Sequence, residues 1–334
     1  MTYSPRNRYT DATKTNHPIP GGQEVSRSLS AIESSDPPEP RVSRTQTTRV
    51  RLNQGRLRPK KRFGQNFLHD RGTAVKIVDA VRVTASDLVV ELGPGHGVLT
   101  KLLAASGAHL VALELDRNLV AELEAEFDLK LGADSEARRR VEVISADFTE
   151  VKLADLASAR GYDRCVLIGN IPYHITRHVL FDFLVEEHQH VSRAVIMMQR
   201  EVGDRIASAR GSRVYGITSV VLQSLYQIGV VTKVAAGSFF PRPKVASIVL
   251  SFTPLARPLV PEEHRRDFVL LVKNLFQQRR KPSHNTLRSF YELGDEALAR
   301  IGEKTGIDLK LRPEMLSKEQ FLALTLAVKA EQGL

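Results

Sequence analysis

The sequence predicts an α/β protein: a parallel β-sheet covered on both faces by helices, followed by a small all-helical C-terminal domain. Three observations predict it. From Leu88 onward, short runs rich in Val, Ile and Leu alternate with segments whose apolar residues fall at helical spacing. The first of these runs leads directly into a glycine-rich turn. After Pro254 no further strand-like run is found. Repeated βα units place successive strands parallel, with the crossover helices on the sheet faces. The chain has 334 residues and is 42% hydrophobic, enough for a full core and for about two domains at ~150 residues each.

The predicted strands are 88–92, 109–115, 141–146, 165–169 and 194–198. Each is a short apolar run of the kind a strand buried on both faces requires. Helices are predicted between them at 98–106, 117–127 and 177–186. Residues 230–234 and 246–253 form a closing antiparallel pair, joined by the proline-broken loop 237–244. Residues 254–261 read as a linker. Pro261-Glu262-Glu263 then opens a helix, since proline suits the first turn and acids oppose the positive end of the dipole. Two more helices are expected at 295–303 and 313–331. The division is a tail over 1–55, an α/β domain over 56–255 and a helical domain over 256–334.

Charge is unevenly placed. The chain carries 48 Lys+Arg against 38 Asp+Glu, and 13 of those cations against 5 acids lie in residues 1–62. The tail is rich in Ser, Thr, Pro and Arg, and Pro37-Pro38-Glu39-Pro40 bars a helix there. It is expected to be disordered, and a basic arm of this kind gains affinity for phosphates by releasing counterions. One cysteine excludes an internal disulfide and a Cys-rich metal site, and no apolar run approaches the ~20 residues of a membrane span. A cytoplasmic, monomeric protein without a metal is expected.

The turn Gly93-Pro94-Gly95-His96-Gly97 follows the first strand, and Glu114 lies 21 residues beyond Gly93 at the end of the second. Glycines let the backbone turn sharply and approach a ligand, and a carboxylate at that distance can accept both hydroxyls of a ribose. The pairing points to an adenosine-type ligand. Glu91, just before the turn, would repel a pyrophosphate but suits an amino-acid ammonium or the sulfonium of S-adenosylmethionine. Asp147, just past the third strand, either accepts an adenine amine or caps a short helix. His96 and His174 are expected to face solvent.

Asn170-Ile171-Pro172-Tyr173 ends the fourth strand, at the carboxyl edge where open α/β sheets bind ligands. Methyl transfer to an aromatic amine needs a positioned nitrogen rather than a strong base. The Asn170 side-chain oxygen and the Ile171 carbonyl can hold its two N–H groups, Pro172 stiffens that carbonyl, and Tyr173 offers a face for stacking.

Five segments carry a resemblance: Lys61-Arg62-Phe63-Gly64-Gln65-Asn66-Phe67-Leu68, the Gly93–Gly97 loop, Asn170–Tyr173, Phe239-Phe240-Pro241-Arg242-Pro243-Lys244-Val245 and Gln278-Arg279-Arg280-Lys281. Together they resemble the rRNA adenine dimethyltransferase family, most of all its KsgA/RsmA branch, over about 60 to 330. The resemblance implies a Rossmann-like class I methyltransferase fold with a small helical domain, acting on adenosine amines near the 3′ end of small-subunit rRNA with S-adenosylmethionine as methyl donor. It also implies cofactor contacts at Asn66, Leu68, Gly93, Gly95, Glu114, Asp147 and Asn170, catalysis by Asn170 to Tyr173, and Phe239 as a second stacking ring. The sequence departs from the family's usual pattern at His174-Ile175-Thr176-Arg177 and at Lys281-Pro282-Ser283-His284.

Two basic clusters flank this predicted site: Arg58, Lys60, Lys61 and Arg62 on one side, Arg279, Arg280, Lys281 and Arg288 on the other. They are the expected contacts to rRNA phosphates, within a small-subunit particle. Two other readings stay open: an Erm-type enzyme acting on large-subunit rRNA, and a non-catalytic RNA-binding or ribosome-assembly relative.

Overall fold

The computed structural model describes residues 65–333; the predicted tail and the basic residues Arg58, Lys60, Lys61 and Arg62 lie outside the described residues. Strands β1 (Phe67–Leu68), β2 (Leu88–Leu92), β3 (His109–Glu114), β4 (Val141–Ser145), β5 (Cys165–Asn170), β6 (Val191–Gln199), β7 (Tyr226–Val234), β8 (Phe239–Phe240) and β9 (Ser247–Pro254) build two sheets. The large sheet has the order β4-β3-β2-β5-β6-β9-β7. Its first five strands run parallel, while β9 is antiparallel to both β6 and β7. Strand order reverses at β2, which pairs with β3 on one side and β5 on the other. That switch point opens a crevice at the carboxyl ends of the strands.

The sheet is buried on both faces, as its unbroken apolar runs require. Leu88, Val90 and Leu92 point into one core cluster with Leu167 and Ile196, while Val89, Val166 and Ile168 point into the other. Helix α1 (Arg71–Val81) covers the second face with Ala74, Ile77 and Val81, and Asp70 caps it by accepting from the Gly72 N–H. The predicted helix over 98–106 is a short α2 (Thr100–Leu103) finished by a 3-10 turn, Ala104–Ser106. Gly97, at φ +70°, belongs to the turn and delays the helix start. Helix α3 (Arg117–Leu131), capped by Asp116, packs on β3 and β4, and α4 (Glu136–Arg139) and α5 (Leu153–Ser158) flank β4 and β5.

Beyond β5, α6 (Thr176–His178) passes directly into a π-helical segment, Val179–Glu186. Helices α7 (Arg200–Ile206) and α8 (Ile217–Gln223) fill the span between β6 and β7. The region after β9 is helical, as predicted, but holds four helices where the sequence predicts three: α9 (Glu262–Gln277), the unexpected α10 (Ser283–Tyr291), α11 (Asp295–Thr305) and α12 (Lys318–Gln332). Glu262 and Glu263 occupy the first turn of α9, and Ser317 and Gln320 form a reciprocal capping box on α12. Phe268, Leu271 and Val272 of α9 and Phe321 and Leu324 of α12 join the same cluster as one face of the sheet. Among the described residues, no helix is long and apolar enough to cross a membrane.

Candidate active site

The crevice at the switch point is a cavity of about 260 Å³. Its walls come from the carboxyl ends of four parallel strands: Glu91 and the glycine turn after β2, Glu114 at β3, Asp147 after β4, and Asn170 to Tyr173 after β5. Gln65 to Leu68, on and before β1, close another side. The structure thus gathers every predicted cofactor residue into one cavity: Asn66, Leu68, Gly93, Gly95, Glu114, Asp147 and Asn170.

Gly93, Gly95 and Gly97 all have positive φ, between +57° and +70°. A Cβ on Gly95 would stand 3.0 Å from the Phe67 ring, whereas at Gly93 nothing lies within 4 Å. Gly95 is therefore required by the close packing of β1 over the turn, and Gly93 leaves its backbone open. The turn is tied to the neighbouring strand by the Gly93 N–H donating to the Leu113 carbonyl at 2.9 Å.

Glu114 is held rigidly. Its Oε2 accepts from the Gly95 N–H at 3.1 Å and its Oε1 from the Asp116 N–H at 2.9 Å. Burial pushes its carboxyl above the ordinary range, and these two donors oppose the rise. A carboxylate has about four lone-pair directions, so each oxygen keeps acceptor capacity for a ligand.

Glu91 lies 1% exposed beneath the turn, and its Oε2 has no hydrogen-bond partner. Burial pushes its carboxyl up to about 8; neighbouring Thr100 pulls it down and Glu114 adds to the rise. A buried carboxyl with one orphaned oxygen, on a residue that borders the cavity, is an expensive arrangement to ionise that a cationic ligand group would relieve.

Asp147 fulfils the capping alternative: its Oδ1 accepts from the Thr149 N–H at 2.9 Å and from the Thr149 hydroxyl at 2.6 Å. These bonds hold its carboxyl below the ordinary range, so it is an anion that also lines the cavity.

At the end of β5, the Asn170 Nδ2 donates to the Asn66 carbonyl at 3.1 Å. That bond fixes which way the amide faces and leaves Oδ1 as the atom offered to a ligand. The Ile171 side chain is buried, and Pro172 and Tyr173 line the cavity. The Tyr173 hydroxyl is within 2.9 Å of Ser247 Oγ on β9, which anchors the ring by its far end. Sequence reasoning missed Ser247, the Asn66 carbonyl and Phe67, because each acts through a partner distant in the chain.

Several expectations need correction. Phe239 is 3% exposed, packs in the core beside Leu68 and does not line the cavity. Alternation along β8 turns it inward and leaves Phe240 exposed instead, so in this conformation Phe239 offers no open face to a base. His96 does not face solvent: it is buried, with its ring centroid 4.3 Å from that of Phe67 and Nδ1 3.4 Å from Glu122. Arg279 donates to the Arg213 carbonyl at 2.7 Å and sits 3.9 Å from Glu314, so its guanidinium ties helix to loop. Arg288 is paired with Asp295. Of the predicted C-terminal phosphate contacts, Arg280, Lys281 and Arg288 are exposed, and Arg280 and Lys281 have no ion-pair partner among the described residues.

Comparison with known proteins places this cavity in a family. The model of the ribosomal RNA adenine dimethylase family matches residues 56–329. The chain belongs to this family. It is 40% identical to a protein of Geobacter metallireducens named ribosomal RNA small subunit methyltransferase A, over 83% of this chain and 98% of that one. A protein of the same name from Myxococcus xanthus is 40% identical over 81% of this chain and 92% of its own length. Among solved structures, a dimethyladenosine transferase from Plasmodium falciparum superposes with a TM-score of 0.65 at 21% identity, covering 80% of this chain and 98% of that one. The 23S rRNA methyltransferase ErmE gives 0.59 at 23% identity, over 79% and 100%. Those two likenesses establish the shared class I methyltransferase fold. Within the dimethylase family, the glycine turn, the acids at the strand ends and the Asn-Ile-Pro-Tyr segment are the parts of this chain that meet at one cavity.

Proposed function

We propose that this protein is an S-adenosylmethionine-dependent rRNA adenine N6,N6-dimethyltransferase, acting on adenosines near the 3′ end of small-subunit rRNA. The names of its relatives support the small subunit over the large one. The observation that carries the chemistry is the amide of Asn170, held by Asn66 so that Oδ1 is the acceptor left at the cavity wall.

The residues present fit the methyl donor. Glu114, locked by two backbone N–H groups, is placed to accept the ribose hydroxyls. The open backbone at Gly93 and the orphaned Oε2 of Glu91 suit the cationic amino-acid end. Asp147, with Oδ1 occupied by Thr149, has its other oxygen for an adenine amine. Asn66 and Leu68 complete that side. When bound, S-adenosylmethionine supplies an electrophilic methyl group on a sulfonium.

The chain's own residues position the acceptor. Asn170 Oδ1 and the Ile171 carbonyl accept the two N–H bonds of the adenine amine and aim its lone pair, with Pro172 stiffening the segment. Tyr173, braced through Ser247, presents a face on which the base stacks. Catalysis here is orientation: transfer leaves the amine nitrogen cationic, and its surplus proton passes to water afterwards, so no general base is required. We further assign the helical region 256–334, with exposed Arg280 and Lys281, to rRNA contact, and the α/β region 56–255 to methyl transfer. The reading includes a cytoplasmic monomer meeting rRNA within a small-subunit particle, with the basic segment through Lys60, Lys61 and Arg62 adding phosphate contacts.

The test is nucleoside mass analysis of small- and large-subunit rRNA after incubation with the protein and S-adenosylmethionine. Dimethyladenosine confined to the small subunit is expected. Product only in the large subunit, or none in either, would overturn the reading.

A further inference from the structure

Two cations share one aromatic ring beside the active site. The Arg177 guanidinium carbon lies 5.8 Å from the Phe181 ring centroid, and the Lys273 ammonium lies 5.6 Å from it. Phe181 is half-buried on the π-helical segment, Arg177 is exposed on α6, and Lys273 projects from α9. Among the described residues neither cation has an ion-pair partner at salt-bridge distance, Glu186, Glu262 and Glu263 on the same elements included, and two further acids there are engaged elsewhere. Asp182 faces His178, and Asp267 faces Lys329.

A ring face attracts a cation through its quadrupole, and a single aliphatic stem would be enough to cover an exposed phenyl edge. A second like charge on the same ring adds repulsion with no carboxylate to relieve it. An anion resolves that imbalance. A guanidinium and an ammonium held in advance over a fixed ring lose less rotamer freedom when they grip a phosphate. Arg177 stands two residues beyond Ile175, which lines the cavity, so a phosphate held there belongs to a nucleotide close to the one in the cavity.

We infer that Arg177 and Lys273, preset over Phe181, form a phosphate clamp for the RNA strand that delivers its adenosine to the cavity. Helix α9 then continues the contact toward exposed Arg280 and Lys281 beyond its end. The inference rests on the RNA methyltransferase reading and assigns its backbone grip to specific side chains.

The test uses the full chain carrying Arg177→Gln and Lys273→Gln together, with small-subunit particles carrying unmodified rRNA as the probe. Binding is measured across a salt series, alongside steady-state methylation and calorimetric binding of S-adenosylmethionine. Losing two contacts should flatten the salt slope by about 1.4, roughly 0.7 for each single-strand phosphate, and raise the KM for rRNA roughly tenfold. The kcat at saturating rRNA and the affinity for the methyl donor should match the wild type. Phe181→Leu keeps the apolar packing and should give a smaller rise in KM. Arg300→Gln removes a charge that is paired with Glu331 and should leave the slope alone. A double variant with wild-type slope and KM, tested against an active wild-type protein, would overturn the clamp. A wild-type protein that neither binds nor methylates rRNA would instead overturn the function on which the clamp rests.

Discussion

Glu91→Gln keeps the shape of a protonated Glu91 and removes its ability to ionise. In the folded protein this carboxyl titrates near 8, because it lies 1% exposed and one of its oxygens has no partner. In the unfolded chain it returns to the ordinary glutamate value of 4.5. Between those values the folded state holds a proton that the unfolded state has released, so stability falls as pH rises. At about 1.4 kcal/mol per unit, the loss reaches about 3 kcal/mol at pH 7 and approaches about 5 kcal/mol near pH 8. The ligand-free variant escapes this loss. Urea titrations of both proteins at pH 5 and pH 8 should show a gap in stability that is small at the lower pH and widens to several kcal/mol at the higher. The same substitution should weaken binding of S-adenosylmethionine, since the cation loses its counter-charge. The wild type should release a proton on binding and the variant should not, read by calorimetry in buffers of different ionisation enthalpy. Parallel pH profiles for the two proteins would refute the reasoning.

Asn170→Ala should lower kcat by roughly 100-fold or more while the affinity for S-adenosylmethionine changes little, since the amide aims the acceptor; turnover near wild type would end its role. Glu114→Ala should weaken calorimetric binding of the methyl donor by roughly 10- to 100-fold. It should also cost about 1–3 kcal/mol of stability for each N–H left unpaired at Gly95 and Asp116. Phe239→Ala should behave as a core truncation, costing about 3–5 kcal/mol in denaturant unfolding. A normally stable variant with lost activity would show instead that the ring swings out to meet a base.

The parallel strands were legible because strands buried on both faces leave unbroken apolar runs, and 88–92 matches β2 residue for residue. The acids of the site were legible for a related reason: a carboxylate placed just after such a run must sit at the sheet edge. What the sequence hid is long-range. Two-residue strands β1 and β8 carry no periodicity, and their pairing joins segments far apart in the chain. The bonds from Asn170 to Asn66 and from Tyr173 to Ser247 span 104 and 74 residues, so no local pattern announces them. Helix α1 buries Ala74, Ile77 and Val81, but Val75, Val78 and Ala80 between them blur the stripe and hide it from a reading of the sequence alone. Phe239 and Arg279 misled for opposite reasons. Strand alternation inverted the first, and two carbonyl acceptors on a neighbouring loop recruited the second.

The contact between Asn170 and Asn66 makes the Asn170 amide depend on the segment before β1. That side chain borrows its bearing from a stretch of backbone outside the large sheet, so releasing that stretch lets the side chain spin even if every strand stays in place. Under the proposed role of Asn170, docking of the chain ahead of α1 and arming of the reaction would be the same event, and whatever loosens the one would silence the other.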